Sequence, residues 1–454
     1  MTSKLASSER VANVFGTIGT DDFYRIGADV GGALNSDSTL SARLPLLYAS
    51  RGDTQDFVNA KRIYASPSLT WAPTDATTLT LLALYQNDKY DRTIGVPLVG
   101  TLQPSPAGPS RRSLFLGEPS FRQLESEQWQ FGYFLTHKFS DAIQFRSRLR
   151  YSDFDLTGPI VQAPRGGSTP TSITRRGFDF IGDRSLLSTD NQIEANFTTG
   201  SVEHRVMVGV DYQDYKDRNS GELFGLTPIN PTAPAYGAPP TPFGSFFSDD
   251  VRVRQTGIYG QYRAEFAERV IVVAGMRYSD TSNRRTDRLS STTGRQDDND
   301  TSFNAAVLYK AGGGFSPYFS YAQSFEPQIG FDPLTSGQTP PPAQGEQFEA
   351  GLKWSTPDGR LTAQAALFQI DQTNIVNADP ANPGFSILVG EQRHKGFELE
   401  LSGRIGELLT VQAGYTYLDA EITRSNNGDQ GCDPRMCRRM RPACLRHLAG
   451  HRSD

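Results

Sequence analysis

Apolar and polar side chains alternate one by one along this chain, run after run, and the links between runs alternate between short and long. Val202, Val206, Val208, Val210 and Tyr212 fall on one face of an extended segment, with Glu203, Arg205, Gly209 and Asp211 on the other. Trp129, Phe131, Tyr133 and Leu135 alternate with Gln130, Gly132, Phe134 and Thr136. A period of two belongs to a β-strand. The whole chain reads as about 17 such strands with almost no helical periodicity, the fourth covering 59–72. Tight turns at 140–141, 267–269 and 312–314 alternate with long loops at 91–121, 158–185, 218–250, 281–298, 327–343 and 373–390. A soluble sandwich has no reason to gather its long loops at one end. A transmembrane barrel does, with short periplasmic turns and long external loops. The expected fold is therefore all-β, a transmembrane antiparallel up-and-down β-barrel.

Composition agrees with this and excludes other classes. No run approaches the roughly 20 consecutive apolar residues of a spanning helix. A barrel strand shows lipid only every second side chain, so its hydropathy is diluted. A net charge of −5 argues against a nucleic-acid protein, which carries a basic face. The three cysteines, Cys432, Cys437 and Cys444, all lie at the end of the chain, so the body has no disulfide framework and no thiolate metal site. No signal peptide is visible, because Met1-Thr2-Ser3-Lys4 leads into the first strand without an apolar core.

Five short motifs carry a family resemblance. Tyr318-Phe319-Ser320-Tyr321-Ala322-Gln323-Ser324-Phe325 resembles the "Y-x-S-Y-A-Q-S-F" strand of TonB-dependent siderophore receptors. Gly345-Glu346-Gln347-Phe348-Glu349-Ala350-Gly351-Leu352-Lys353 is similar to that family's "G-E-Q-x-E-x-G-x-K". Ala366-Leu367-Phe368-Gln369-Ile370 leads to Asn374 as in "A-x-F-x-I-x-x-x-N". Arg393-His394-Lys395-Gly396-Phe397-Glu398 follows Gly390-Glu391 as in "G-E-x-R-S-K-G-x-E-x-E", and Ala413-Gly414-Tyr415-Thr416-Tyr417 precedes Asp419-Ala420 as in "A-G-Y-T-Y-x-D-A". Each is weak alone; five in order over 314–420 are specific.

The resemblance implies an outer-membrane receptor, not an enzyme, that imports ferric siderophores through a barrel of about 22 strands around a plug. The transported ligand would be a ferric siderophore, most naturally a hydroxamate, with no cofactor. The partners would be TonB, outer-membrane lipid and lipopolysaccharide, with no nucleic acid. Met1–Leu5 resembles the last plug segment, so residues 1–8 are expected to be a remnant of the plug end and 9–430 a partial barrel with open edges. The signal peptide, TonB box and plug would then lie upstream, and the chain alone would not transport. Codons for Arg435–Met440 can be chosen so that a shifted frame reads Asn-Val-Pro-Pro-His, the family's next segment. Residues 431–454 are therefore expected to be a frameshifted tail without fixed structure. That reading also accounts for Cys432, Cys437, Cys444, His447 and His451, which otherwise suggest zinc.

Two other functions are open to such a barrel, a passive porin-like channel and a barrel hydrolase. The body holds only His137, His204 and His394, and no serine–histidine motif accompanies them. The better binding candidates are loop aromatics: Phe115, Phe121, Phe178, Phe180, Phe224, Tyr236, Phe243, Phe246 and Phe247. Such rings hold bulky, nearly neutral chelates by burial plus a few polar contacts, or else pack loops together. Arg111, Arg112, Arg175 and Arg176 could draw in an anionic chelate, bind lipopolysaccharide phosphates or stay solvated.

Overall fold

The computed structural model describes residues 4–424 apart from 93, 164–165, 329–333, 380 and 383. The expectations for the tail 431–454 lie outside the described residues. Eighteen strands form one sheet: β1 (Val11–Ile18), β2 (Tyr24–Ala33), β3 (Leu40–Gly52), β4 (Asn59–Ala65), β5 (Ser68–Thr74), β6 (Thr77–Tyr90), β7 (Leu124–Lys138), β8 (Ile143–Gln162) and β9 (Ile173–Thr199) in the first half. The second half holds β10 (Val202–Ile229), β11 (Thr241–Phe266), β12 (Val270–Asp287), β13 (Thr292–Tyr309), β14 (Phe315–Glu326), β15 (Ala343–Ser355), β16 (Leu361–Ala378), β17 (Ser386–Ile405) and β18 (Leu409–Arg424). Every pairing is antiparallel and joins elements near in sequence. Among the described residues β1 pairs with β2 and β18 with β17, and no ladder joins β1 to β18.

The fourth expected strand, 59–72, is in fact two. Pro67 has no N–H to give to a ladder, and the strand breaks at Ser66-Pro67. β4 and β5 both pair with β3 on one side and β6 on the other, so they occupy one position in the sheet. The break keeps its hydrogen bonds: Ser66 N–H donates to the Pro45 carbonyl at 3.1 Å and Ala83 N–H to the Pro67 carbonyl at 3.0 Å.

Four expected loops also prove to be mostly strand. The stretches 158–185, 218–250, 281–298 and 373–390 shrink to connections at 163–172, 230–240, 288–291 and 379–385. Above about residue 213 of β10 the apolar alternation fades, yet the ladder runs on. Cross-strand ion pairs replace it: Arg252 to Asp214 at 2.6 Å, Arg184 to Asp217 at 3.0 Å, Arg218 to Asp250 at 3.2 Å and Arg288 to Asp250 at 2.6 Å. Facing pairs of opposite charge stabilise a sheet without any hydrophobic period.

Lower down, the two faces differ sharply. One carries a continuous exposed belt. Val208 and Val210 lie beside Ile258 and Tyr262, then Met276 and Tyr278, then Phe303 and Val307. The belt continues through Phe319, Phe348, Leu352, Leu367, Leu399 and Tyr415. The opposite face holds Arg277 paired with Asp211, Arg146 with Glu194 at 3.3 Å, and Arg43 with Asp29 at 2.8 Å. Residues 4–6 lie against this polar face: Lys4 pairs with Asp29 at 2.8 Å and the Thr70 hydroxyl donates to the Ala6 carbonyl at 2.8 Å.

Val208→Arg on the apolar belt should cost about 2–4 kcal/mol when the chain is folded in a bilayer. Gln261→Arg on the polar face should stay within about 0.5 kcal/mol. Denaturant titration in lipid vesicles measures both, and equal costs would contradict the face assignment.

Candidate functional site

The described residues form a compact hydrophobic core at the long-loop end of the sheet, clear of the apolar belt. Ile94, Leu114 and Leu116 of the 91–123 loop pack on Val161, Ile173, Phe224, Leu226 and Ile229, which belong to or border β8, β9 and β10. Arg175 is pulled into this core. It pairs with Glu118 at 3.4 Å, and both side chains are 1% exposed. Its Nε donates to the Thr227 carbonyl at 3.0 Å, and its Nη1 donates to the Gly117 carbonyl. Glu118 in turn accepts the Gly237 N–H at 2.9 Å. Burial pushes the Arg175 guanidinium below its ordinary pKa, while the Glu118 carboxylate pulls it back up. A charge so enclosed is tolerated only because nearly every donor finds an acceptor. Three segments far apart in sequence are thereby fastened together.

Four of the nine candidate aromatics belong to this fastening. Phe115 and Phe224 are buried. Phe121 meets Phe224 edge-on at 5.4 Å, and Phe57 bridges Phe115 and Tyr236. Tyr236 donates its hydroxyl to the Phe115 carbonyl at 2.8 Å, and burial raises its pKa. Of the four arginines, Arg111 pairs with Asp56 at 3.4 Å and Arg175 is buried.

The other aromatics form a second group. Phe178 and Phe180 of β9 lie 6.0 and 6.1 Å from Phe247 of β11, and Phe246 sits 5.8 Å from Phe247. Strand parity puts Phe178, Phe180 and Phe247 on the same face as Asp190 and Asp211, the polar one. Phe247 lies over Gly221 of the intervening β10, where a Cβ would come within 2.5 Å of the ring. Phe243, 62% exposed, lies over Gly225 in the same manner. Glycine on the central strand is what lets the rings lie flat against it.

Two polar atoms beside this aromatic shelf are buried and have no partner among the described residues. They are Asn219 Oδ1 and Arg176 Nε. Asn219 is held by its own Nδ2, which donates to Asp217 at 2.8 Å, and Asp217 is fixed by Arg184. The shelf thus offers apolar rings, one free acceptor and one free donor. Asn219 was not legible as a site residue, since a lone asparagine in a polar stretch carries no signal. No spacing signal links Glu118 to Arg175 either.

His204 and His137 are held in structural contacts. His204 stacks on Phe197 and Tyr262 and bonds the Tyr262 hydroxyl at 2.7 Å, and His137 bonds the Thr77 hydroxyl at 2.8 Å.

An apolar belt on one face, a paired polar wall on the other and a cap of long connections at one end are the features of the wall of an outer-membrane β-barrel. The chain belongs to the family described as TonB dependent receptor-like, beta-barrel, which it matches over residues 65–435. Members of this family are receptors and transporters rather than enzymes, and this is an outer-membrane protein. It is 32% identical over 406 residues to the ferrioxamine B receptor of Salmonella typhimurium, covering 89% of this chain and 57% of that protein. It is 28% identical over 452 residues to the ferrichrome outer membrane transporter/phage receptor of Escherichia coli, covering 93% and 60%. Its fold is similar to the ferric-catecholate import receptor Fiu of Escherichia coli K12, with a TM-score of 0.81, 21% identity and 94% and 66% of the two chains covered. The chain thus spans about three fifths of the length of these curated relatives.

Glu118→Ala should strand a buried cation and weaken the cap by about 3–5 kcal/mol. Hydrogen exchange should quicken in 94–118 and not in the apolar belt strands, and Arg175→Met added to it should restore much of the protection. Unchanged exchange in the single variant would contradict the role given to this pair.

Proposed function

We propose that this chain forms the wall and external vestibule of a TonB-dependent ferric-siderophore receptor of the hydroxamate type. The observation that carries the reading is the aromatic shelf of Phe178, Phe180 and Phe247 with the unpartnered Asn219 Oδ1 and Arg176 Nε beside it. A ferric hydroxamate is bulky and nearly neutral. It presents amide N–H groups, which suit a buried acceptor, and hydroxamate oxygens, which suit a guanidinium donor. The similarity to ferrioxamine B and ferrichrome receptors supports that ligand class. Energy for import would come through TonB, and outer-leaflet lipid or lipopolysaccharide would surround the wall.

Residues 9–424 are the barrel wall in this reading, and 4–8 are its junction with a plug. Lys4, Leu5 and Ala6 are tied to Asp29, Arg43 and Thr70 on the polar face, where a chain coming from inside the barrel would enter the wall. The nine aromatics then divide. Phe178, Phe180, Phe247 and the neighbouring Phe243 and Phe246 bind, while Phe115, Phe121, Phe224 and Tyr236 hold the vestibule in shape.

Equilibrium binding of ferrioxamine B to the folded chain tests this. Phe178→Ala and Phe247→Ala should each weaken binding about tenfold, or about 1.4 kcal/mol. Asn219→Ala should weaken an amide-bearing chelate more than a catecholate one. Unchanged affinity in both phenylalanine variants would overturn the assignment of the shelf.

A further inference from the structure

The apolar belt has a hollow in it. Across β2, β3, β5, β6 and β7 the outward positions Gly32, Ala42 and Ala83 are small, and they floor a groove of about 1030 Å³. Val30, Leu44, Leu81 and Phe131 wall it, all exposed to the surroundings of the sheet. The registers place Gly32 beside Ala42, Ala42 beside Leu69, Leu69 beside Leu81, and Ala83 beside Phe131, so the groove crosses the strands rather than following one. Four strand spacings make it about 19 Å long. That exceeds the roughly 15 Å depth of one leaflet's hydrocarbon and matches an extended acyl chain lying aslant.

One end of the groove is charged. Arg10, just before β1, lines it together with Ser8. With the long loops outside, β1 starts at the periplasmic side, so Arg10 stands at the level of the inner-leaflet headgroups. Among the described residues no carboxylate pairs with Arg10. A second hollow in the belt makes a useful contrast. It is smaller, about 470 Å³, floored by Ala363, Ala365 and Ala413, and no lysine or arginine lines it.

We propose that the groove is a binding site for one glycerophospholipid of the periplasmic leaflet. Its acyl chains lie over Gly32, Ala42 and Ala83, and its phosphate is held by Arg10 with the Ser8 hydroxyl beside it. An arginine suits this task because its fork bonds two phosphate oxygens at once. The hollow supplies specificity for an inserted chain, and the cation fixes which end faces the periplasm.

The test uses the full chain folded in nanodiscs of a phosphate-free lipid, digalactosyldiacylglycerol, that contain a small fraction of phosphatidylethanolamine brominated on its acyl chains. Bromine quenches nearby tryptophan. Trp129, whose ring stacks 6.2 Å from Phe131, reports on the groove, while Trp354 reports on the second hollow. Trp71→Phe removes the remaining indole, and variants lacking one or the other of the two reporters separate their signals. Quenching of Trp129 should exceed the share set by the mole fraction of the brominated lipid, and quenching of Trp354 should not. Arg10→Gln should weaken the excess about tenfold, and Ala83→Phe should abolish it while the chain stays folded. Ala365→Phe in the other hollow should leave it unchanged. Quenching that merely follows the mole fraction, an excess indifferent to Arg10→Gln, or an equal excess from brominated diacylglycerol, which has no phosphate, would each overturn the proposal.

Discussion

The backbone hydrogen-bond ladder is what everything else in this protein depends on. In hydrocarbon, an unpaired N–H or C=O costs several kcal/mol, so a chain that crosses lipid as strands must pair each strand on both sides. Antiparallel pairing of chain neighbours meets that demand with the shortest connections for β2 to β17, while among the described residues β1 and β18 each have one partner. The alternation of side chains then follows. Once the ladder fixes which face is which, every second residue meets lipid and every other one meets the wet wall. The ion pairs of Arg277 with Asp211 and Arg146 with Glu194 belong to that wall, and Val208, Ile258 and Leu367 belong to the belt.

The ladder also outlasts the membrane. Beyond the belt, β8 to β13 continue upward as a tall projection in which both faces are wet, and opposite charges take over from apolar contacts. Loop 91–123 then closes against this projection through a small dry core and the Arg175–Glu118 pair. A rigid cap of this kind can hold an aromatic shelf in place without a plug or ligand to brace it. The function proposed for the chain rests on that rigidity, because a shelf on loose loops would lose ordering entropy with every ligand bound.

Legibility in the sequence follows the same physics. Where lipid enforces a period of two, as at 202–212 or 409–417, the strands are plain from the residues. The motifs in 314–420 add the family. Where cross-strand ion pairs replace the apolar period, as at 181–185 and 218–222, the side chains are chosen in pairs across strands, and a single sequence does not reveal which arginine faces which aspartate. Those segments read as loops for that reason. Pro67 was visible, yet its effect, a broken strand that still fills one position, depends on neighbours: Pro45 accepts the Ser66 N–H and Ala83 donates to the Pro67 carbonyl. Residue type alone does not divide the aromatic candidates: strand parity separates Phe178 and Phe247 from Phe224, and burial in loop 91–123 sets Phe115 apart.

The most direct test of this account is a scan of spin labels placed singly along 202–225 of β10, read for collision with oxygen, which concentrates in lipid, and with a water-soluble nickel chelate. The account predicts oxygen-rich and nickel-rich positions in strict alternation from 202 to 212, with 208 and 210 on the lipid side. From about 214 to 222 oxygen preference should vanish at every position while label mobility stays low, as for an ordered strand in water. Alternation that fails within 202–212, or high mobility from 214 to 222, would contradict it.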